Sequence, residues 1–276
     1  MRYGFVTCVQ LGLSCMKKIY EENFHLNLVI TLNDNMAKNK SGRVYLDKFC
    51  EEKGIDLIKC ENFNSNDILN KINEYNIDWL FIIGWSQIAS EKLLSIPNYG
   101  ALGIHPTLLP KGRGRAPIPW AIIKGLKKTG VTLFKLDKGI DTGMIGSQIE
   151  IPISENETSK TLYIKVNNAH MDLIKDAMPL LENKNLKFIK QDEGQKTIWL
   201  RRKPEDGEIK DKNKIDEAYC LIRALTHPYP GAFIKIPEGK LIIWEAVKTN
   251  DKYKGKKIKF KDGVLGLKKF EILKKF

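Results

Sequence analysis

The sequence predicts an α/β protein with a doubly wound, mostly parallel sheet, followed by a small C-terminal domain of the β-barrel type. Short apolar runs alternate with helical patterns through the first half of the chain, which is the βαβ repetition of a parallel sheet. The run Asp78–Ile83 is almost continuously apolar, as expected of a strand that is buried on both faces. After Gln195 the pattern changes to short strands separated by Gly and Lys. We therefore predict a Rossmann-like domain over residues 1–200 and a small OB-like β domain over residues 201–276.

The amino-terminal elements follow in order. Tyr3–Val9 predicts a buried strand, and a helix that opens near Ser14 follows it. Leu26–Leu32 predicts the second strand, and Asn33–Lys40 predicts a polar loop behind it. Two strands joined by a helix in this way pair in parallel, so this region starts the sheet.

The next elements repeat the same unit. A helix that carries Val44 and Phe49 precedes the strand Ile55–Cys60, and the helix Ile68–Tyr75 leads to the apolar run at Asp78–Ile83. In doubly wound sheets, ligands bind beyond the carboxyl ends of the strands. Residues that directly follow a strand are therefore the candidates for function.

The remaining pattern alternates strands and helices to the end of the chain. A strand at Gly100–Ile104 ends beside His105, and prolines mark the start of a helix at Trp120. The later elements are predicted as strands at 129–136 and 144–151 and as helices at 154–182 and 216–225. Several short strands are predicted after them.

Composition excludes several classes of protein. The chain has 276 residues, of which 42% are hydrophobic, so it can bury a full core. No stretch reaches the roughly 18 apolar residues of a membrane span, and no signal peptide is recognisable, so we expect a cytoplasmic protein without membrane contact. The five cysteines are scattered and form no CxxC pair, so we expect neither a metal site nor a disulfide framework.

The formal net charge of +13 has two interpretations. Eleven lysines stand against three acidic residues in the tail 248–276, so much of the excess is local. The tail can be a solvated lysine-rich surface, or it can be a patch that binds a polyanion. The first strand is followed by Gln10-Leu-Gly-Leu-Ser14, which is not GxGxxG, so a dinucleotide-binding dehydrogenase is disfavoured.

The segment 99–145 carries the chemistry. His105 stands at the end of a strand, and Asp141 lies in a Gly-Ile-Asp-Thr-Gly loop between two strands. A His and an Asp at neighbouring strand ends can share a proton in one cleft. Each residue taken alone also has a structural interpretation, because an Asp in a glycine loop is most often a turn former.

Together these motifs resemble one family. The stretches HPTLLPKGRGRAPIPWAI, which begins at His105, and TGVTLFKLDKGIDTGMI, which begins at Thr129, are similar to the formyltransferases that use 10-formyltetrahydrofolate. That family includes enzymes acting on methionyl-tRNA, on glycinamide ribonucleotide and on amino sugars. The resemblance extends to Ile83–Ile88, to Arg201–Asp206 and to Arg223–Phe233, so it covers most of the chain.

The resemblance implies a set of site residues and no metal. His105 and Asp141 are the implied catalytic pair. The residues implied to hold the folate are Ile83, Gly84, Trp85, Ser86, Gln87, Ile88, Leu109, Leu136, Gly139, Ile140 and Asp141. The residues implied to contact the substrate are Gly103, Pro106, Thr107, Lys111, Arg113 and Arg115, the last three as phosphate or carboxylate contacts or as a solvated loop.

The family mechanism makes chemical sense of the pair. When an amine attacks the formyl carbon, a histidine held as an imidazolium can donate to the developing oxyanion, and an aspartate can accept the amine proton. The family has an Asn two residues before its catalytic His as a second donor, whereas this chain has Gly103 there. Losing one such donor typically costs about 10²–10³ in rate. A folate-binding relative that does not catalyse is therefore a minor alternative.

The acceptor has two candidates. The resemblance to the sugar enzymes implies an amino sugar, linked to a nucleotide, for surface glycan synthesis; the alternative is the methionine of initiator tRNA. The loop Asn33–Lys40 is shorter and less basic than in the tRNA enzymes, and the C-terminal barrel is shorter too. Both features favour the sugar. A glycinamide ribonucleotide enzyme would lack the C-terminal extension, and a homodimer is compatible with the pattern.

Overall fold

The structure is a computed structural model that describes residues 1–37, 42–210 and 212–274. Backbone contacts divide the chain into two compact units. The first unit consists of Met1–Arg113, Gly130–Glu150 and Asn167–Thr197. The second consists of Gly114–Thr129, Ile151–Val166 and Ile198–Phe276. The predicted domain boundary near residue 200 stays a prediction.

The strands alternate with helices through the first half of the chain and dominate its last quarter. In chain order they are β1 Tyr3–Val6, β2 Leu28–Leu32, β3 Asp56–Cys60, β4 Trp79–Ile82, β5 Gly100–His105, β6 Arg113–Gly114, β7 Lys128–Lys135, β8 Ile145–Pro152, β9 Ile198–Trp199, β10 Ala232–Ile236, β11 Gly239–Thr249, β12 Lys257–Phe260 and β13 Gly263–Lys274. The helices are α1 Gln10–Glu21, α2 Asp34–Ala37, α3 Asp47–Lys53, α4 Asn66–Glu74, α5 Glu91–Leu94, α6 Pro117–Ile123, α7 Ser159–Glu182 and α8 Ile215–Leu225.

The central sheet has seven strands in the order β3-β2-β1-β4-β5-β7-β8. Strand β1 pairs in parallel with both β2 and β4, and β4 pairs in parallel with β5. Strand β7 runs antiparallel to β5. The strand order reverses between β1 and β4, which is the topological switch point of a doubly wound sheet. The predicted fold class, mostly parallel and Rossmann-like, is confirmed.

Burial explains why these strands form. Every residue of β1, β2 and β5 is buried, so side chains on both faces of these strands leave water. Each fully buried large apolar side chain contributes about 1.5–3 kcal/mol relative to exposure. The core cluster on one side of the sheet joins helix α4 to the strands through Val6, Leu28, Ile30, Cys60, Phe63, Ile68, Leu69, Ile72, Ile77, Leu80, Leu93 and Ala101.

Helix α1 begins four residues before the predicted start near Ser14. Gly12 permits this, because a Cβ at that position would lie only 1.9 Å from Thr7 Oγ1. The helix therefore begins directly after the first strand, with Gly12 packed on Thr7. Gly12 is thus a helical residue that allows close packing on Thr7, and it does not belong to a loop.

Three other expectations are wrong in detail. The predicted loop Asn33–Lys40 contains the helical turn α2, and its residues 38–40 lie outside the described part of the chain. Val44 lies before helix α3 rather than in it, and its backbone N–H donates to the Cys8 carbonyl at 3.1 Å. Helix α5 was not predicted; it follows Ser90, whose hydroxyl accepts from the Leu93 N–H at 3.3 Å.

Helix α7 begins at Ser159 rather than at the predicted residue 154. In the second unit, the Ser154 hydroxyl and the Glu157 carboxylate lie 3.3 Å apart and close a turn, which delays the helix. The C-terminal sheet has the order β10-β11-β13-β12 and is antiparallel. Its strands β11 and β13 have 11 and 12 residues, longer than the short strands predicted.

All five cysteine thiols are free, and four of them are buried. Among the residues that the structure describes, no helix combines the length and apolarity needed to span a membrane. Within those same residues, no group of three His, Cys, Asp or Glu side chains could hold a metal ion.

Candidate active site

His105 is the last residue of β5 and is only 7% exposed. Strand β5 ends because Pro106 cannot donate a ladder hydrogen bond. The His105 ring stays in place through its Nε2, which lies 2.8 Å from the Gly112 carbonyl oxygen. Because a carbonyl oxygen can only accept, Nε2 carries a proton. The other ring nitrogen, Nδ1, is therefore the one left for chemistry.

The Nδ1 edge faces Asp141. The distance from His105 Nδ1 to Asp141 Oδ2 is 3.6 Å, and the Asp141 side chain is 17% exposed. This distance is too long for a hydrogen bond but short enough for an ion pair. The ion pair forms when both ring nitrogens carry a proton. A reacting carbonyl oxygen and an amine could both reach this edge, since neither partner is locked to the other.

The Asp141 backbone adopts a left-handed conformation with φ of 55°. Asp tolerates this region better than most residues, but the conformation still has to be held by its surroundings. Asp137 holds one side of the loop: its Oδ1 accepts from the Gly139 N–H at 3.0 Å and from the Thr142 hydroxyl at 2.6 Å. Hydrogen bonds to the Asp137 side chain therefore hold the Gly-Ile-Asp-Thr-Gly loop, in which Asp141 lies, in a defined turn.

The loop after His105 is fixed by two polar side chains from strands β7 and β8. The Thr132 hydroxyl donates to the Thr107 carbonyl at 2.7 Å and accepts from the Leu109 N–H at 3.1 Å. Gln148 Nε2 donates to the Leu109 carbonyl at 2.9 Å and to Thr132 Oγ1 at 2.8 Å. The backbone that leads from His105 to Gly112 is therefore held at several points.

Gly103, two residues before His105, has no free space around it. A Cβ there would lie 2.9 Å from Leu136 Cδ2 and 3.2 Å from Phe134 Cε1. An Asn side chain would need both neighbours to move. The chain therefore differs from the family in two ways: it lacks the Asn amide, and apolar side chains lie where the Cβ of an Asn would be.

Arg113, implied as a substrate contact, is engaged within its own unit. Its side chain is 5% exposed, and its Nη2 lies 2.5 Å from Glu193 Oε1. The hydrogen bond from Arg113 lowers the pKa of the Glu193 carboxyl. A contact between Arg113 and the substrate stays a prediction.

The other implied substrate residues differ in exposure. Lys111 is exposed in the first unit, and Arg115 is exposed in the second. Thr107 is buried, and Pro106 is half-buried. Their contacts with a substrate stay predictions.

Apart from Leu109, the residues implied to hold the folate lie in the segments 83–88 and 136–141, and each segment has a side chain that packs on the core cluster. Trp85 and Leu136 both pack against the core cluster, and Trp85 meets the Phe63 ring edge-on with centroids 5.5 Å apart. The Gln87 side chain binds the chain itself, with Nε2 donating to the Glu61 carbonyl at 2.7 Å and Oε1 accepting from the Phe63 N–H at 2.8 Å. Gln87 therefore positions its loop.

Some of the residues implied to hold the folate are buried and others are exposed. Ile83 and Leu109 are buried, at 0% and 3% exposure. The exposed members are Gly84, Ser86, Ile88, Gly139 and Ile140. Apolar side chains next to exposed polar groups suit a flat ring with polar edges.

Sequence reasoning missed the residues that hold the pair. Thr132, Gln148 and Gln191 supply side-chain hydrogen bonds to the loops around His105 and Asp141. Gln191 lies 50 residues from Asp141 along the chain. No local spacing connects such positions, so only the folded chain identifies them.

Comparisons with known proteins give matches that extend over most of the chain. A profile of the family described as Formyl transferase matches residues 15–178, and one described as Formyl transferase, C-terminal domain, matches residues 201–273. A bifunctional polymyxin resistance protein, ArnA, from Wigglesworthia glossinidia brevipalpis is 35% identical over 244 residues. The match covers 88% of this chain but only 37% of that protein, so the chain spans well under half of this relative.

Two solved structures share the fold. A methionyl-tRNA formyltransferase from Clostridium thermocellum superimposes with a TM-score of 0.65 at 24% identity, over all of both chains. An N-formyltransferase from Helicobacter canadensis, solved with folinic acid and dTDP-3-aminofucose, gives a TM-score of 0.69 at 19% identity, over 96% of this chain and 98% of that one. At these identities the likeness establishes the fold alone.

Proposed function

The chain belongs to the formyl transferase family, and from that premise we propose that it transfers a formyl group from 10-formyltetrahydrofolate to an amino sugar linked to a nucleotide. The observation that carries the proposal is the His105–Asp141 pair, with Nδ1 and Oδ2 3.6 Å apart at the end of β5. A proton donor and a proton acceptor that face each other across a short gap suit formyl transfer to an amine.

The residues act on the two ends of one bond-forming step. The folate supplies the activated formyl carbon when bound. His105 donates from Nδ1 to the formyl oxygen as that atom gains negative charge. Asp141 stabilises the protonated ring and takes the proton that the amine loses, directly or through a water molecule. As the oxyanion collapses, the bond between the formyl carbon and the folate nitrogen breaks, and the proton taken up by Asp141 passes to that nitrogen, so tetrahydrofolate leaves. Since Gly103 offers no amide, His105 carries more of the oxyanion stabilisation than it would beside an Asn.

The folate suits the segments named above for a physical reason. Trp85 and Leu136 supply apolar packing on the core cluster, while Gly84 and Ser86 are exposed residues of the same segment as Trp85. A pterin is flat, apolar on its faces and polar at its edge, so it can pack on such side chains and hydrogen-bond to backbone groups. The Helicobacter canadensis relative was solved with folinic acid, which supports a folate as the formyl carrier.

The acceptor proposal is tested by direct assay. The purified chain is given 10-formyltetrahydrofolate with dTDP- and UDP-linked amino sugars, and separately with charged initiator methionyl-tRNA. We expect folate release and a formylated sugar nucleotide detected by mass. Formyl-methionyl-tRNA as the efficient product would instead favour the alternative acceptor, to which the Clostridium thermocellum likeness points. Folate binding without turnover on any acceptor would favour the non-catalytic relative.

Salt dependence separates the two acceptors independently. A tRNA complex with six phosphate contacts should lose a factor of about 10³ in affinity between roughly 50 and 200 mM salt. A nucleotide sugar presents only two phosphates, so we expect its KM to change little over that range. The measurement is KM for the best acceptor at both salt concentrations.

The basic tail provides the matching variant. Lys257 and Lys259 already bind the Asp251 region, Lys259 through an ion pair of 2.7 Å to the carboxylate. Replacing Lys256, Lys257, Lys259 and Lys261 together by Gln should leave sugar formylation nearly unchanged. Steeply salt-dependent tRNA binding that disappears in this variant would contradict the sugar assignment.

A further inference from the structure

Gln191 donates twice to the loop that presents Asp141. Its Nε2 lies 2.9 Å from the Asp141 carbonyl oxygen and 2.7 Å from the Gly143 carbonyl oxygen. Both amide hydrogens are therefore used on the carbonyl oxygens of the two residues that flank Thr142. Together with Asp137, which holds the start of the loop, Gln191 fixes the left-handed backbone at Asp141 from the other side.

Arg113 fixes the orientation of the Gln191 amide. Gln191 Oε1 accepts from Arg113 Nε at 3.0 Å and from Nη2 at 2.7 Å. A guanidinium has no acceptor, so only the amide oxygen can face it. The amide nitrogen must then face the Asp141 loop, and the reverse orientation is excluded. Glu193 keeps the guanidinium itself in place through its ion pair.

The same arginine adjoins the histidine side of the site. Gly112, whose carbonyl oxygen binds His105 Nε2, directly precedes Arg113. The N–H groups of Gly112 and Arg113 donate to Thr197, to its hydroxyl at 2.7 Å and to its carbonyl at 3.0 Å. One connected set of hydrogen bonds in the first unit thus reaches from His105 through Arg113 and Gln191 to Asp141.

We infer that Gln191 is a positioning residue that holds Asp141 opposite His105, and that the buried Arg113 guanidinium orients it. The inference rests on the proposed function, because it concerns the same catalytic pair. It gives Arg113 a role inside the protein that does not depend on a contact with substrate. Misplacing a catalytic group by about 1 Å can cost about 10² in rate, so loss of this support should be visible in turnover.

The test compares isosteric changes at Gln191. Gln191→Glu keeps the length and the contact with Arg113 but removes both donors to the loop, while Gln191→Met removes all of these hydrogen bonds. We expect each to lower kcat by about 10- to 100-fold, with a melting temperature close to that of the wild type. The matched control is Gln195→Met, since Gln195 is exposed and its side-chain amide donates to the neighbouring Asp192 at 3.0 Å. Its kcat should not change.

A double-mutant cycle asks whether Gln191 acts through Asp141. In an Asp141→Asn background, adding Gln191→Met should cost less than about threefold in kcat, because the group it positions no longer functions. A full, additive loss in that background would overturn the inference, as would wild-type kcat in both single variants. Failure of the wild type to formylate any acceptor would count against the proposed function instead.

A crystal structure of Gln191→Met gives an answer that does not depend on activity. The positioning role predicts that the Asp141 carboxylate moves away from its 3.6 Å distance to His105 Nδ1. An unchanged distance and an unchanged loop would overturn the inference, whatever acceptor the protein uses.

Discussion

Replacing His105 by Ala should lower kcat by about 10²–10⁴ while the protein stays folded. In the proposed mechanism His105 Nδ1 donates to the formyl oxygen, and Gly103 offers no side-chain amide beside it. The change also removes the bond to the Gly112 carbonyl, so a small loss of stability is expected with it. The measurement is single-turnover formylation at saturating folate and acceptor.

The companion variant and the control make this result specific. Asp141→Asn keeps the shape of the side chain and removes its charge and its basicity, so it should lose at least about 10² in kcat. Folate affinity, measured by fluorescence titration, should persist in both variants. His25→Ala removes an exposed histidine that packs on Tyr20 and should behave as wild type. Turnover near that of wild type in His105→Ala would remove His105 from the mechanism.

The sheet could be predicted from the sequence because its strands are buried on both faces. Tyr3–Val6 and Leu28–Leu32 are apolar runs without helical periodicity, and they could be found for that reason. The start of helix α1 could not, because Gly12 looks like a turn residue until its contact with Thr7 is seen. Short helices such as Glu91–Leu94 depend on a single cap at Ser90 and leave too little periodic signal.

Only the residues of the candidate site that lie in recognisable motifs could be predicted from the sequence. His105 and Asp141 came from a resemblance between spaced motifs, and the structure brings them together at 3.6 Å. Their supports at Gln148 and Gln191 are isolated polar residues whose partners lie far away in sequence. The environment of Gly103 was hidden for the same reason: Phe134 and Leu136 reach it only because β7 runs antiparallel to β5.

The side chains around Gly103 also bear on how the proposed mechanism could stabilise the oxyanion. A Cβ at Gly103 would lie 2.9 Å from Leu136 Cδ2, so the Leu136 side chain would have to shift to admit an Asn as a second oxyanion donor. In the proposed mechanism the rate then depends more heavily on how well Asp141 and His105 are aligned. Small displacements of the Asp141 loop should therefore have large effects.

Gly143→Ala should lower kcat by about 10², although it adds a single methyl group two residues from Asp141. A Cβ at Gly143 would lie 1.7 Å from the Lys135 carbonyl oxygen and 2.9 Å from its carbon. These are backbone atoms of β7, which cannot rotate aside as a side chain could. Lys135 is also tied to the loop, because its N–H donates to the Met144 carbonyl at 2.9 Å. The loop must move instead, and Asp141 moves with it.

The measurement is kcat with the melting temperature followed in parallel, since a displaced loop should cost rate more than stability. Gly194→Ala is the matched control in the same unit: a Cβ there meets only the Asp192 carboxylate at 3.2 Å, a side chain that can give way. We expect wild-type kcat for Gly194→Ala and a crystal structure of Gly143→Ala in which Asp141 has left His105. Full activity in Gly143→Ala would show that the alignment of Asp141 tolerates movement, and the importance assigned to this loop would be wrong.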